Sequence, residues 1–136
     1  VVRLPAATLF VEADIGLLER VLDNLILNAL YHTPPDGIVA LELRMADKTA
    51  TFAITDTGHG IASEELPHIF DRFYRGSSKA KDDGNHLGLG LVIAKRIVEL
   101  HGSQLHVASR LHRGTQFGFG LPIRAHPAMY LGNSAP

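Results

Sequence analysis

Ala50-Thr51-Phe52-Ala53-Ile54-Thr55-Asp56-Thr57-Gly58-His59-Gly60-Ile61 is the stretch that organises the rest of the chain. Its first six residues are apolar or β-branched and read as a strand, which ends at an aspartate followed by two closely spaced glycines. The glycines let the backbone turn sharply and let a flat ligand approach it closely. Asp56, at the strand end, is suited to accept a hydrogen bond from an exocyclic amine. The same residues also fit an ordinary Asp-x-Gly turn, so the neighbouring segments have to decide.

Toward the N-terminus, Ile38 to Arg44 alternates apolar and polar residues, and Ala46-Asp47-Lys48 can turn, which makes a hairpin with the Ala50–Thr55 strand. Before it, Leu18, Val21, Leu22, Leu25, Ile26, Ala29 and Leu30 recur at helical intervals from Asp14 to about His32, with Asp14 as N-cap. Thr33-Pro34-Pro35-Asp36-Gly37 stops that helix. Toward the C-terminus, a short helical piece is expected from Ser63 to Phe73, then a polar, mobile stretch from Arg75 to Gly88. Leu89, Val92, Ile93, Ile97 and Leu100 mark a second helix from Leu89 to His101, closed by Gly102. Strands at Gln104–Ser109 and Thr115–Ile123 complete an α+β two-layer sandwich, a mixed sheet with helices on one face. The domain is expected to cover residues 1–123, with 124–136 as a flexible tail.

Composition narrows the function classes. The chain has 136 residues, 46% hydrophobic, enough for one domain with its own core. Thirteen Lys+Arg against fourteen Asp+Glu leave a net charge of −1 and no broad cationic face, so nucleic acid is not an expected partner. The absence of cysteine excludes disulfides, thiolate zinc sites and cysteine nucleophiles, and fits a cytoplasmic setting. No apolar run approaches the roughly 20 residues of a membrane span, so no membrane contact is expected of this domain.

Three further segments carry chemistry. Asn24 and Asn28 share a helix face with Tyr31, bordered by His32. Their amides either ligate a hard cation beside phosphates or hydrogen-bond loops packed on the helix. Gly84-Asn85-His86-Leu87-Gly88-Leu89-Gly90-Leu91 runs into the second helix, where unpaired amides and the helix dipole suit a phosphate; the alternative is a hinge. In Ile69-Phe70-Asp71-Arg72-Phe73-Tyr74-Arg75 the aromatics can pin the segment to the core. Arg72 and Arg75 are left for phosphates or for solvent.

Together and in this order, the segments resemble the ATP-binding catalytic domain of two-component sensor histidine kinases, of the Bergerat fold shared with gyrase, Hsp90 and MutL. Asp23–Ala29 resembles the N box of that family, Asp56–Gly60 its G1 box, Phe70–Arg75 its F box and Gly88–Leu91 its G2 box. Gly114-Thr115 with Phe117–Pro122 resembles its closing strand. The resemblance implies ATP and Mg²⁺ as cofactors, with Asn28 holding the ion and Asp56 reading the adenine amino group. Asn24, Asn28, Arg72 and Arg75 would act in catalysis. Tyr31, His32, Gly58, Gly60, Ile61, Phe70, Leu87, Gly88, Leu89, Gly90 and Thr115 would line the nucleotide site, under a lid from about Arg75 to Leu87. The implied activity is that of a protein-histidine kinase, passing the γ-phosphoryl of ATP to a histidine on a separate dimerisation domain and then to a response regulator. The parent sensor would be either soluble or membrane-anchored, and the isolated domain monomeric. Tyr31 stands where most relatives have lysine, and His86 where the first glycine of the G2 box often stands. None of the eight histidines has the setting of the phosphoacceptor. Two alternatives follow: a nucleotide-binding interaction module that has lost transfer, and an ATPase of the gyrase kind.

Overall fold

The computed structural model describes residues 1–74 and 88–126. Eight regular elements are formed among them, in the order β1 (Val2–Arg3), β2 (Phe10–Val11), α1 (Ile15–His32), β3 (Val39–Ala46), β4 (Thr49–Asp56), α2 (Gly90–Leu100), β5 (His106–Arg110) and β6 (Gly114–Arg124). The two long helices and the four strands expected from sequence are present, shifted by one or two residues at their ends. β6 runs to Arg124, one residue past the expected boundary.

The first helix begins where its cap dictates. Asp14 Oδ1 accepts the Leu17 amide at 3.0 Å, and the Asp14 carbonyl accepts the Leu18 amide at 2.8 Å. At the other end Thr33 Oγ1 donates to the Ala29 carbonyl at 2.6 Å before the two prolines. The second helix closes in a Schellman motif, in which the amides of Gly102 and Ser103 donate to the carbonyls of Glu99 and Val98 at 2.9 and 3.1 Å. His101 joins the two helices. Its Nδ1–H donates to the Ile97 carbonyl at 2.8 Å, and its Nε2 accepts the Asp14 amide at 3.1 Å.

The strand order is β1-β3-β4-β6-β2, with β5 paired to the first half of β6. The sheet is mixed: β1 runs parallel to β3 and all other pairs are antiparallel. Alternation along β4 turns Ala50, Phe52, Ile54 and Asp56 inward. Across the register Phe52 faces Phe119, and their rings stack at 4.8 Å and 6°. Val21, Leu25 and Ala29 of α1 and Ala94, Ile97 and Val98 of α2 close over this face. Each fully buried Leu or Ile here contributes about 2 kcal/mol of hydrophobic free energy.

One expectation is corrected, and two short strands are added. The helical piece from Ser63 to Phe73 is only a three-residue 3-10 turn, Leu66–His68, followed by further turns. Its proline has no amide to continue a ladder, and Phe73 adopts a left-handed φ of 64°, which no helix accommodates. The strands β1 and β2 were not expected from sequence. The stretch expected to be mobile lies, apart from Gly88, outside the described residues, as does the tail from residue 127 onward.

Candidate functional site

The inward face of the sheet ends at Asp56, and the chain then turns through Gly58 to Ile61 beneath the last turn of α1. Asp56 is 5% exposed although it carries a carboxyl group. Oδ1 accepts the Gly58 amide at 2.8 Å, and the Thr115 amide of β6 lies close enough to favour the charged carboxylate. Burial raises its pKa above the ordinary value, against the lowering effect of those two amides and of the nearby His59 imidazole. A buried carboxyl group held by the Gly58 amide has acceptor capacity left for a ligand amine.

Backbone proximity dictates the glycines here. A Cβ at Gly58 would strike the His32 carbonyl and lie 2.9 Å from Asp56 Oδ1. Gly60 has φ +71° and backs onto the Arg110 carbonyl. The loop is therefore clamped between the C-terminus of α1 and the end of β5.

His59, between those glycines, adds a tie that the sequence did not announce. Its Nδ1 lies 2.8 Å from the Gly60 carbonyl and its Nε2 lies 2.9 Å from His32 Nδ1. The carbonyl can only accept, so Nδ1 of His59 carries the proton and Nε2 accepts from His32. Tyr31 packs edge-on against His32, with centroids 5.0 Å apart.

Along α1, one turn apart, lie Asn24 and Asn28, both partly buried, whereas Asp23 is exposed. A Cβ on Gly90 would lie 3.7 Å from Asn24 Oδ1, so the N-terminus of α2 sits against this amide. Among the described residues, Asn24 Nδ2 is buried without a hydrogen-bond partner, and no side chain caps the start of α2. Gly88, Leu89 and Gly90 therefore border a place with donors to spare, as a phosphate requires.

The F-box residues divide by role. Ile69 is buried, and Phe70 packs edge-on against Phe117 at 6.4 Å with Lys95 Nζ 5.8 Å above its ring. Tyr74 Oη donates to Glu65 at 2.9 Å. Phe73 is 68% exposed and donates its amide to the Gly88 carbonyl at 3.1 Å, which joins the F box to the G2 box. Arg72 is exposed. Arg75 and Leu87 lie outside the described residues. Thr115 stands opposite Asp56 in the β4–β6 register, and its hydroxyl meets Ser109, whose Oγ also accepts the Ile61 amide. Ser109 is the site residue that sequence reading missed, because its Ile61 partner is far away in the chain; His59 lies in the Asp56–Gly60 box, where a structural or pocket-lining role is expected, but its partner His32 is not legible there.

Among the described residues no group of three His, Cys, Asp or Glu side chains could hold a metal ion. The donor set is instead amide oxygen, which fits a hard cation that takes most of its ligands from phosphate and water. No described helix is long and apolar enough to cross a membrane.

This geometry is that of a known class. The chain belongs to the family of histidine kinase-, DNA gyrase B- and HSP90-like ATPases, whose family model matches residues 13–125. Within it, the relatives are sensor kinases, and the chain has the ATP-binding catalytic domain of that kind. It is 36% identical over 121 residues to the sensor protein KdpD of Clostridium acetobutylicum, covering 89% of this chain and 13% of that protein. It is 39% identical over 115 residues to the sensor protein IrlS of Burkholderia pseudomallei, covering 85% of this chain and 25% of that protein. Among solved structures, the mycobacterial sensor histidine kinase MprB matches with a TM-score of 0.79 at 33% identity, over 92% of this chain and 84% of the other. Full-length ShkA, solved in complex with AMPPNP, matches with a TM-score of 0.74 at 27% identity, over 92% of this chain and 26% of the other. The chain thus spans a quarter or less of the length of the curated relatives named here.

Proposed function

We propose that this chain binds ATP with Mg²⁺ and presents the γ-phosphoryl group to a histidine on a separate helical domain of a longer sensor, from which it passes to a response regulator. The observation that carries the reading is Asp56, a buried carboxyl group at the meeting point of a helix end, a glycine loop and a neighbouring strand. Such a group selects a ligand amine, and the AMPPNP in the ShkA complex supports a nucleotide as its owner. In this reading Asp56 accepts from the adenine amino group, while Gly58, Gly60 and Ile61 form the floor of the base site. Tyr31, His32 and Thr115 form its walls. The amides of Gly88, Leu89 and Gly90 receive phosphate oxygens, and Phe70 anchors the neighbouring segment. Asn28 would hold Mg²⁺ through its amide oxygen, which supplies charge neutralisation beside the phosphates. Asn24 orients the phosphate end, and Arg72 and Arg75 contribute positive charge.

In the transfer, the bond from the γ-phosphorus to the bridging oxygen breaks, a phosphorus–nitrogen bond to the acceptor imidazole forms, and ADP leaves. Because phosphoryl transfer is mostly positioning and charge stabilisation, a pocket of amides and arginines suffices. A gyrase-like hydrolysis needs a helix carboxylate as general base. Here that place holds Asn24, whose amide takes no proton, and Asp23 beside it points to solvent.

The test has two stages. Titration calorimetry with AMPPNP should show binding that strengthens with Mg²⁺. Incubation with a supplied dimerisation domain and ATP should then label its histidine. Binding without labelling would favour the interaction-module alternative, for which Tyr31 and His86 speak, and no binding at millimolar nucleotide would refute the proposal. The same reading takes the chain as a cytoplasmic, monomeric unit of its parent.

A further inference from the structure

Ser109, near the end of β5, meets three groups at once. Its Oγ accepts the Ile61 amide at 2.8 Å, lies 3.0 Å from the Gly114 carbonyl and lies 2.8 Å from the Thr115 hydroxyl. A serine hydroxyl has one proton and two lone pairs. The Gly114 carbonyl can only accept, so the serine proton goes there. The two lone pairs then take the Ile61 N–H and the Thr115 O–H. Thr115 has thereby used its only hydroxyl proton, and its oxygen keeps acceptor capacity alone.

That oxygen stands in a particular place. Thr115 is 8% exposed and lies opposite Asp56 across the β4–β6 register. Two neighbouring buried groups therefore both present acceptors at the end of the sheet. A 6-amino purine matches such a wall with its exocyclic amine. A 6-oxo purine opposes it with a carbonyl oxygen, and a buried acceptor facing an acceptor is penalised strongly.

We propose that Ser109 is a specificity-positioning residue: by holding the Thr115 proton away from the pocket it makes the base-facing wall acceptor-only, and so selects adenine over 6-oxo purine nucleotides. The inference rests on the nucleotide reading above and adds to it the residue that sets base choice. Ser109 itself touches no base; it acts through Thr115.

The experiment compares Mg-ADP with Mg-IDP by titration calorimetry for the unaltered chain, Ser109→Ala, Ser109→Thr and Thr115→Val. The unaltered chain should prefer ADP. In Ser109→Ala the Thr115 hydroxyl is released to donate to a 6-oxo group, and the preference should narrow by on the order of tenfold. Ser109→Thr, which retains the hydroxyl, should restore the preference. Loss of affinity for both nucleotides by the same factor would mean that Ser109 only braces the Ile61 loop, and would overturn the inference. An unchanged ratio would also overturn it. Should Ser109→Ala fail to fold, Thr115→Val reads the same wall with a nearly isosteric side chain, and it too must narrow the ratio. A chain that binds neither nucleotide refutes the nucleotide reading and this inference with it. One that binds ADP with a ratio no variant moves refutes this inference alone.

Discussion

Replacing Asp56 by asparagine separates the pocket from the fold that carries it. The side chain keeps its shape and one oxygen for the Gly58 amide, but it loses its charge and turns a donor toward the place where a ligand amine would dock. A hydrogen bond to a charged partner is worth about 1.5–3 kcal/mol, so nucleotide affinity should fall by roughly 10- to 150-fold. Stability should move the other way. Burial holds the Asp56 pKa above its ordinary value of 3.8, and outweighs the Gly58 and Thr115 amides and the His59 imidazole. The folded protein therefore takes up this proton at higher pH than the unfolded chain does. The group's contribution to stability rises as pH falls through the folded value, levels off below the unfolded one, and is least favourable at neutral pH. Asp56→Asn removes that charge, so at pH 7 it should melt at or above the temperature of the unaltered chain, and it should lack this component of the acid-side gain. Calorimetric titration with AMPPNP and melting curves between pH 4 and 7.5 give both readouts. Affinity within threefold of the original would refute the amine-reading role. A loss of affinity joined to a fall in melting temperature of more than about 4 °C, on the order of 1 kcal/mol for a domain of this size, would mean that the site had collapsed and that no single contact had been isolated.

Further outcomes follow from the same geometry. Asn28→Ala should bring the affinities measured with and without Mg²⁺ together while leaving metal-free binding nearly intact, which calorimetry in the presence of a chelator can check. Gly60→Ala must force a side chain onto a φ of +71° and against the Arg110 carbonyl, so it should destabilise the domain by about 1–3 kcal/mol in chemical denaturation. His101→Ala removes both the bond to Ile97 and the acceptor for the Asp14 amide; a cost of about 1–2 kcal/mol with unchanged nucleotide affinity is expected.

How much of this was legible in the sequence depends on how local its cause is. α1 could be read because Asp14 and the three- and four-residue intervals among Leu18, Val21, Leu22, Leu25 and Ala29 act within the segment itself. The β3–β4 hairpin and the loop after Asp56 were legible for the same reason. β1 and β2 were not: two residues cannot show an alternation, and Val2–Arg3 and Phe10–Val11 become strands only by pairing with β3 and β6. The segment after Ser63 misled because Leu66, Ile69, Phe70 and Phe73 have helical spacing, whereas Pro67 and the left-handed Phe73 break the ladder. At the site, Asn24, Asn28 and Asp56 carry their chemistry in their identity. The roles of His59 and Ser109 rest on partners 27 and 48 residues away, which no single-sequence pattern encodes.

The rim of the site is held by these distant partners. His32 backs Gly58, the His59 carbonyl accepts from His112, Ser109 holds Ile61, and Phe73 holds Gly88. No rim segment can reach its place until elements from both halves of the chain have assembled, so the pocket has no existence in a partly folded chain. Ligand occupancy and folding then share a single equilibrium. A nucleotide at a hundred times its Kd should add about 2.7 kcal/mol to the stability of the whole domain, and a lesion far from the pocket that halves the folded population should halve the binding-competent population as well.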